Sequence, residues 1–232
     1  MYCNCGIDIP VLKSRQTCKD FFQFRMGKWL DDSFVFYASY HDNKVNQWIH
    51  IVCVPLLIFT GFLMLSFTPS LIEGSVDIKG ALPAFLSHLL PEGSKYVFNW
   101  NMLFAALYTT YYTFVELPGI AGLLAAVLVV SAYIYSTHLY TVHNASDDLF
   151  KLAMHTHIFC WLAQFIGHGV YEGRSPALLD NLFQAFAMAP LFVLMEVMFM
   201  FGYRSDFRRQ IQLQVDKNVK AYQDSRGKGK AE

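Results

Sequence analysis

The sequence predicts an all-α, polytopic helical membrane protein, with about four to six membrane-embedded helices around a histidine-rich site. Three observations carry that expectation. Hydrophobic residues make up 54% of the 232-residue chain and charged residues only 16%, below the quarter or so usual in soluble domains. The apolar residues gather in long runs instead of alternating with polar ones. The basic residues sit at the ends: of 18 Lys and Arg, six precede residue 48 and eight follow residue 203, leaving Lys79, Lys95, Lys151 and Arg174 between them. The formal net charge is zero, and no basic face with interleaved aromatics points to nucleic acid as a partner.

The first 47 residues are mostly polar and mixed in charge, without the pattern of a signal peptide. The five cysteines (Cys3, Cys5, Cys18, Cys53 and Cys160) are odd in number and scattered, which is not a disulfide framework. Cys3 and Cys5 form a lone C-x-C, a weak metal signal.

The first apolar run, WIHIVCVPLLIFTGFLMLSFT at 48–68, is long enough to cross a hydrocarbon core of about 30 Å. Pro55 and Gly61 predict a kink within it. Residues 69–97 read as a Pro- and Gly-rich loop with one short turn around Ala84–Leu90. A tyrosine-rich second run occupies 98–116. After the Leu117-Pro118-Gly119 turn comes the cleanest span, in which Gly119, Gly122, Ala125 and Ala126 suit close helix packing. Residues 138–157 read as a polar segment with four histidines. The fourth run, 158–171, reaches span length only if it starts near Leu152. The fifth, 183–203, carries Pro190 and Glu196 and is expected to be bent or re-entrant. Basic ends place both termini on the cytosolic side and require an even number of crossings, so four crossings plus the bent run are expected.

Eight histidines are available: His41, His50, His88, His138, His143, His155, His157 and His168. His41 and His50 are nine residues apart and would face opposite ways on one unbroken helix. They converge only if a helix starts between them, and Asp42, Asn43 and Asn46 are plausible N-caps. His168 and Glu172 share a helical face, flanked by Gly167 and Gly169, which allow close backbone approach or leave room for a substrate. Three imidazoles and a carboxylate would suit Fe(II), Mn(II) or Zn(II). Neither His138 with His143 nor His155 with His157 forms a ready chelate on a helix, but His155 and His157 stand in reserve as ligands that could complete a site from a loop. Glu196 reads equally as an interior partner for a Tyr or Arg and as support for a metal-bound histidine. Arg174 is either an interfacial anchor or a clamp for a substrate carboxylate. Asn46, Gln164 and Asp180 read mainly as caps and structural hydrogen-bonders, with Asn46 also kept beside Arg174 as a candidate substrate contact.

Two stretches carry a resemblance. F-Y-x-x-Y-H-x-N-x-x-N-x-x-x-H-x-x-x-V-P runs from Phe36 to Pro55, and Q-F-I-G-H-G-V-Y-E-G-R-S-P-A-L-L-D-N-L from Gln164 to Leu182, followed by A-P-L-F-V-L-M-E at 189–196. Together they resemble the 2-hydroxy fatty acid dioxygenases of the endoplasmic reticulum, a family known from fungal phytosphingosine breakdown. The resemblance covers roughly 33–205, expected as a membrane-embedded catalytic domain; outside it the residues read as a polar cytosolic segment 1–32 and a basic cytosolic tail 206–232, helical at first and frayed at the end. The resemblance implies an Fe(II) enzyme in the endoplasmic-reticulum membrane that uses O2 to convert a 2-hydroxy fatty acid into an acid one carbon shorter. By motif position, His41, His50 and His168 are the implied metal ligands and, with Glu172, the implied catalytic residues. Glu172, His155 and His157 are the reserve ligands. A di-iron hydroxylase or desaturase fits less well, since no two histidines are adjacent. A non-enzymatic lipid-binding protein is the other alternative.

Overall fold

A computed structural model describes residues 28–72, 78–81, 83–88, 90–115, 119–175 and 184–228. Cys3, Cys5, Cys18 and Asp180 lie outside the described residues. Within them the chain is helical and has no strand. The helices are α1 (28–39), α2 (Lys44–Ser66), α3 (Trp100–Val115), α4 (Ile120–Val142), α5 (Asp147–Ile166), α6 (Ala189–Met200) and α7 (Ser205–Lys228). Single turns at Ile78–Ala81 and Ala84–Ser87 interrupt the loop between α2 and α3. A π-helical segment, Gly167–Glu172, continues α5, and a second, Gln184–Met188, leads into α6.

The expected break between His41 and His50 is present. Asn43 caps α2, its Oδ1 accepting a hydrogen bond from the Val45 amide at 2.9 Å. That satisfies an amide with no partner inside the helix. Pro55 lies within α2 without ending it. α2 packs along α4, α5 and α6 and is the centre of the bundle. Ala121, Gly122, Ala125 and Ala126 are buried on α4, so the small-residue stripe does bring helices close. Asn101 of α3 is fully buried and its Nδ2 donates to Ser66 Oγ at 2.8 Å and to Ser136 Oγ at 3.3 Å, tying α3 to α2 and α4.

The structure refines the sequence reading at three elements. The segment 138–157 is not a polar connection: α4 runs to Val142, and α5 starts at Asp147 after a turn with positive φ at Asn144 and Ala145. Ser146 caps α5 by accepting from the Leu149 amide, and Asp147 and Asp148 complement the positive helix start. These are helix-start signals that hydropathy alone does not register. The bend in the last apolar run falls at its end, where α6 and α7 meet at 116° with positive φ at Gly202 and Arg204. Finally, the basic segment is helical and packs against the rest of the protein. Ile211 and Val215 of α7 are buried in the same core as Leu30, Phe34 and Tyr37 of α1, and Asn218 Nδ2 donates to Ser39 Oγ. α1 likewise reaches back across the expected boundary at residue 33, since Leu30 is buried.

Among the described residues, two helices, Lys44–Ser66 and Ile120–Val142, are long and apolar enough to cross a membrane, or three if the bent pair of α6 and α7 counts as one span. α3, with 16 residues, is about 24 Å long at 1.5 Å per residue, and α5 carries Asp147, Asp148 and Lys151 near its start.

Candidate metal centre

His41 follows the turn that ends α1, His50 lies two turns into α2, and His168 sits in the π segment that extends α5. The Asn43 cap breaks the chain between the first two and lets their rings meet. Each histidine offers one ring nitrogen, and these nitrogens all lie within 4.8 Å of one another. Ring centroids are 4.3 Å apart for His41 and His50, 4.8 Å for His41 and His168, and 4.9 Å for His50 and His168. All three rings are buried.

The hydrogen bonds fix which nitrogens are free. His41 Nδ1 lies 2.7 Å from the Tyr37 carbonyl oxygen, and His50 Nδ1 lies 3.0 Å from that of Asn46. A carbonyl only accepts, so each Nδ1 carries the proton and each Nε2 keeps a lone pair. His41 Nε2 and His168 Nδ1 are buried with no hydrogen-bond partner. Unpaired buried nitrogens are rare in folded proteins, and converging imidazole lone pairs cannot satisfy one another. A cation with nitrogen ligands resolves this, and the backbone carbonyls behind His41 and His50 are the kind of outer support that metal-bound histidines have. The residues present therefore fit a metal ion. Burial, and then the neighbouring His50 and His168, hold the His41 ring well below the usual imidazole range, keeping it neutral as a ligand must be.

The carboxylate of Glu172 does not join the cluster. Its Oε1 accepts from the Asn43 amide at 2.8 Å and from Asn46 Nδ2 at 3.2 Å. Burial raises the Glu172 pKa, opposed by these two donors. The side chain thus fastens the π segment to the start of α2, a role shared with Asn46, whose Nδ2 also reaches the Tyr40 carbonyl at 3.3 Å. Gly167 faces Asn46 so closely that a Cβ there would collide with Asn46 Oδ1, whereas a Cβ on Gly169 would meet nothing within 4 Å. The structure thus realises close approach at one glycine and open space at the other.

Arg174 is committed elsewhere. Its Nη1 donates to the Ser39 carbonyl at 2.9 Å, and its guanidinium lies over the Tyr40 ring at 3.5 Å and the Tyr222 ring at 4.3 Å. His157 is also engaged at both ring nitrogens: Trp161 Nε1 donates to its Nε2 at 3.1 Å, and Thr60 Oγ1 lies 2.8 Å from its Nδ1. It has no lone pair left for a metal, and His155 is exposed. Neither reserve histidine enters the cluster. Glu196 contacts Tyr37, whose hydroxyl donates to Oε2 at 3.4 Å. Tyr37 stacks on His41, so both sequence readings of Glu196 describe one chain of contacts.

The three histidines share a cavity of about 220 Å³ whose remaining wall is largely apolar, including Val54, Leu57, Phe62, Leu65 and Phe104. Along α2 it extends from His50 to Leu65, about 22 Å at 1.5 Å per residue. Asn46 and Arg174 do not line it. Tyr37 and Gln164 do, and sequence reasoning had assigned neither to the site. For Tyr37 the signal was available, since it precedes His41 by one helical turn just as Asn46 precedes His50.

Residues 28–201 match the family described as 2-hydroxy-palmitic acid dioxygenase Mpo1-like. The chain is similar to the 2-hydroxy-palmitic acid dioxygenase MPO1 of Saccharomyces cerevisiae, with 31% identity over 185 residues that cover 80% of this chain and 87% of that protein. No solved structure matches it.

Proposed function

The chain belongs to the 2-hydroxy-palmitic acid dioxygenase Mpo1-like family, and from that premise we propose that it is an Fe(II)-dependent dioxygenase of 2-hydroxy fatty acids. The observation that carries this reading is the convergence of three buried histidines at one end of an apolar cavity. A long apolar channel suits an acyl tail, and a cluster of metal-binding nitrogens at its end suits the polar headgroup.

The reaction balances with a single dioxygen. The C1–C2 bond of the substrate breaks, C2 becomes the carboxyl carbon of the shortened acid, and C1 leaves as carbon dioxide with one water. All the electrons lost by C1 and C2 are taken up by O2.

His41, His50 and His168 would hold the metal. Iron(II), when bound, supplies the redox centre for oxygen and a seat for substrate oxygens. The protein does the rest. Tyr37 and Asn46 fix the His41 and His50 tautomers through their carbonyls. Glu172 and Asn46 hold the segment bearing His168 against α2. The apolar wall keeps water from the reacting carbons and accommodates the tail.

In the same reading the protein lies in the endoplasmic-reticulum membrane with both termini cytosolic, acting in the degradation of sphingoid bases and fatty acids. Support comes from the two long apolar helices, from basic residues concentrated at the chain ends, and from outward-facing apolar side chains such as Leu123, Leu128, Phe159 and Leu162.

The test is oxygen uptake by the purified, iron-loaded protein given 2-hydroxypalmitic acid, with His50→Ala and His168→Ala alongside. Turnover with equal O2 consumed and CO2 released, lost together with bound metal in both variants, is the expected result. A folded, metal-loaded wild type that consumes no oxygen would overturn the proposal.

A further inference from the structure

We propose that Gln164 is the substrate's headgroup contact, donating a hydrogen bond from its Nε2 to a carboxylate oxygen of the 2-hydroxy acid. This rests on the dioxygenase reading and adds to it a residue that recognises the acid.

The inference follows from what each polar group of the cavity is already doing. His41, His50 and His168 form the cluster. The Tyr37 hydroxyl donates to Glu196, and the Tyr108 hydroxyl to the Phe186 carbonyl at 3.1 Å. Trp161 and His157 bond each other, and His157 continues to Thr60. Among the described residues lining the cavity, that leaves Gln164. It is 7% exposed, yet its Nε2 has no hydrogen-bond partner. A buried amide N–H without an acceptor is costly, and Gln164 lines a cavity whose other polar groups are already engaged and whose remaining wall is largely apolar.

Position supports the same assignment. Gln164 lies four residues before His168, on the helix α5 that the π segment bearing His168 continues. Both line the cavity. A carboxylate entering such a space must exchange its water for protein donors. Arg174, which the sequence offered for that task, is held by Ser39, Tyr40 and Tyr222 outside the cavity lining. A substrate oxygen at Gln164 would satisfy both unmet needs, the amide donor and the carboxylate acceptor.

The test uses Gln164→Met, which keeps length and helix propensity but removes the donor. Binding of 2-hydroxypalmitic acid to metal-loaded protein is measured under argon by equilibrium dialysis, with metal content and thermal stability determined on the same samples. The expected result is about a ten- to hundredfold loss of affinity, the range for a hydrogen bond to a charged group, with metal content unchanged. The melting temperature should stay level or rise, since an unpaired buried polar group has been removed. Gln164→Leu, shorter and equally without a donor, should behave the same way. Unchanged affinity in either variant would overturn the proposal, and so would a fall in melting temperature with loss of metal, which would make Gln164 a structural residue. If the metal-loaded wild type bound no 2-hydroxy acid, the dioxygenase reading would fall and this proposal with it. Wild-type binding alongside unimpaired variants would remove Gln164 alone.

Discussion

The Tyr37 ring stacks on the His41 ring with centroids 4.0 Å apart and planes 21° from parallel, while the Tyr37 carbonyl accepts from His41 Nδ1 at 2.7 Å. One residue therefore sets both the tilt and the tautomer of a candidate ligand. The carbonyl survives any substitution, so the ring contact is the separable part. Tyr37→Phe keeps the stack and should retain bound metal. Tyr37→Ala should lose metal and about 3–5 kcal/mol of stability, as aromatic-to-alanine changes in a core do. Metal analysis and denaturant melts of the two variants check this.

Glu172 offers a second separation of roles. If its carboxylate ties Asn43 and Asn46 without touching the metal, the carbonyl oxygen of a glutamine can still accept those bonds. Glu172→Gln should therefore keep its metal, and Glu172→Ala, which leaves both donors unpaired, should bind metal more weakly. Loss of metal from Glu172→Gln would make the carboxylate a ligand.

The two glycines beside His168 should respond in opposite ways. Gly167→Ala drives a methyl group into Asn46 Oδ1 and should cost about 1–3 kcal/mol, the usual range for overpacking, and displace the ring of His168. Gly169→Ala meets nothing within 4 Å and should melt at or above the wild-type temperature. Thermal melts of both proteins settle the comparison.

The histidine cluster was legible because its determinants are local. An N-cap between His41 and His50 can be read from Asp42, Asn43 and Asn46, of which Asn43 caps the helix, and two motifs in one chain led to the three residues that meet. What could not be read was the direction of side chains within a π segment. Four-residue spacing put His168 and Glu172 on one α-helical face, but the backbone there follows a different repeat. His168 turns to the cluster and Glu172 to the cap. The packing of α7 was not legible for another reason. Its composition is charged, while Ile211, Val215 and Val219 form a narrow stripe at four-residue spacing that packs in the core. A net-charge reading averages such a stripe away.

The depressed proton affinity of His41 predicts a pH effect with a definite sign. Burial, then His50 and His168, favour the neutral ring in the folded state, whereas an unfolded histidine protonates near pH 6.5, roughly its free value. The stability this contributes is present above about pH 6.5 and is lost as the pH falls toward the folded value, because the unfolded chain binds the proton first. Metal-free protein should thus lose up to about 1.4 kcal/mol per pH unit below that point from this group. Metal-free His41→Leu should show a shallower slope in denaturant titrations between about pH 7 and pH 5.

Gly61 bears on which acids the channel accepts. It lines the cavity on α2, about 16 Å from His50 along the helix at 1.5 Å per residue, and a Cβ built there would meet only His157 Cε1, at 3.8 Å. A larger side chain at this position extends into the space left for the tail, beyond the headgroup and clear of the histidine cluster. Gly61→Leu should leave metal content and turnover of 2-hydroxyoctanoic acid near wild type. For 2-hydroxypalmitic acid it should lower kcat/KM by about tenfold or more, since excluding a methylene or two from an apolar pocket is worth roughly that. Equal losses for both acids would mean that the tail does not run past Gly61. The channel would then have to be followed along its other wall, toward Phe104 and Tyr108 of α3.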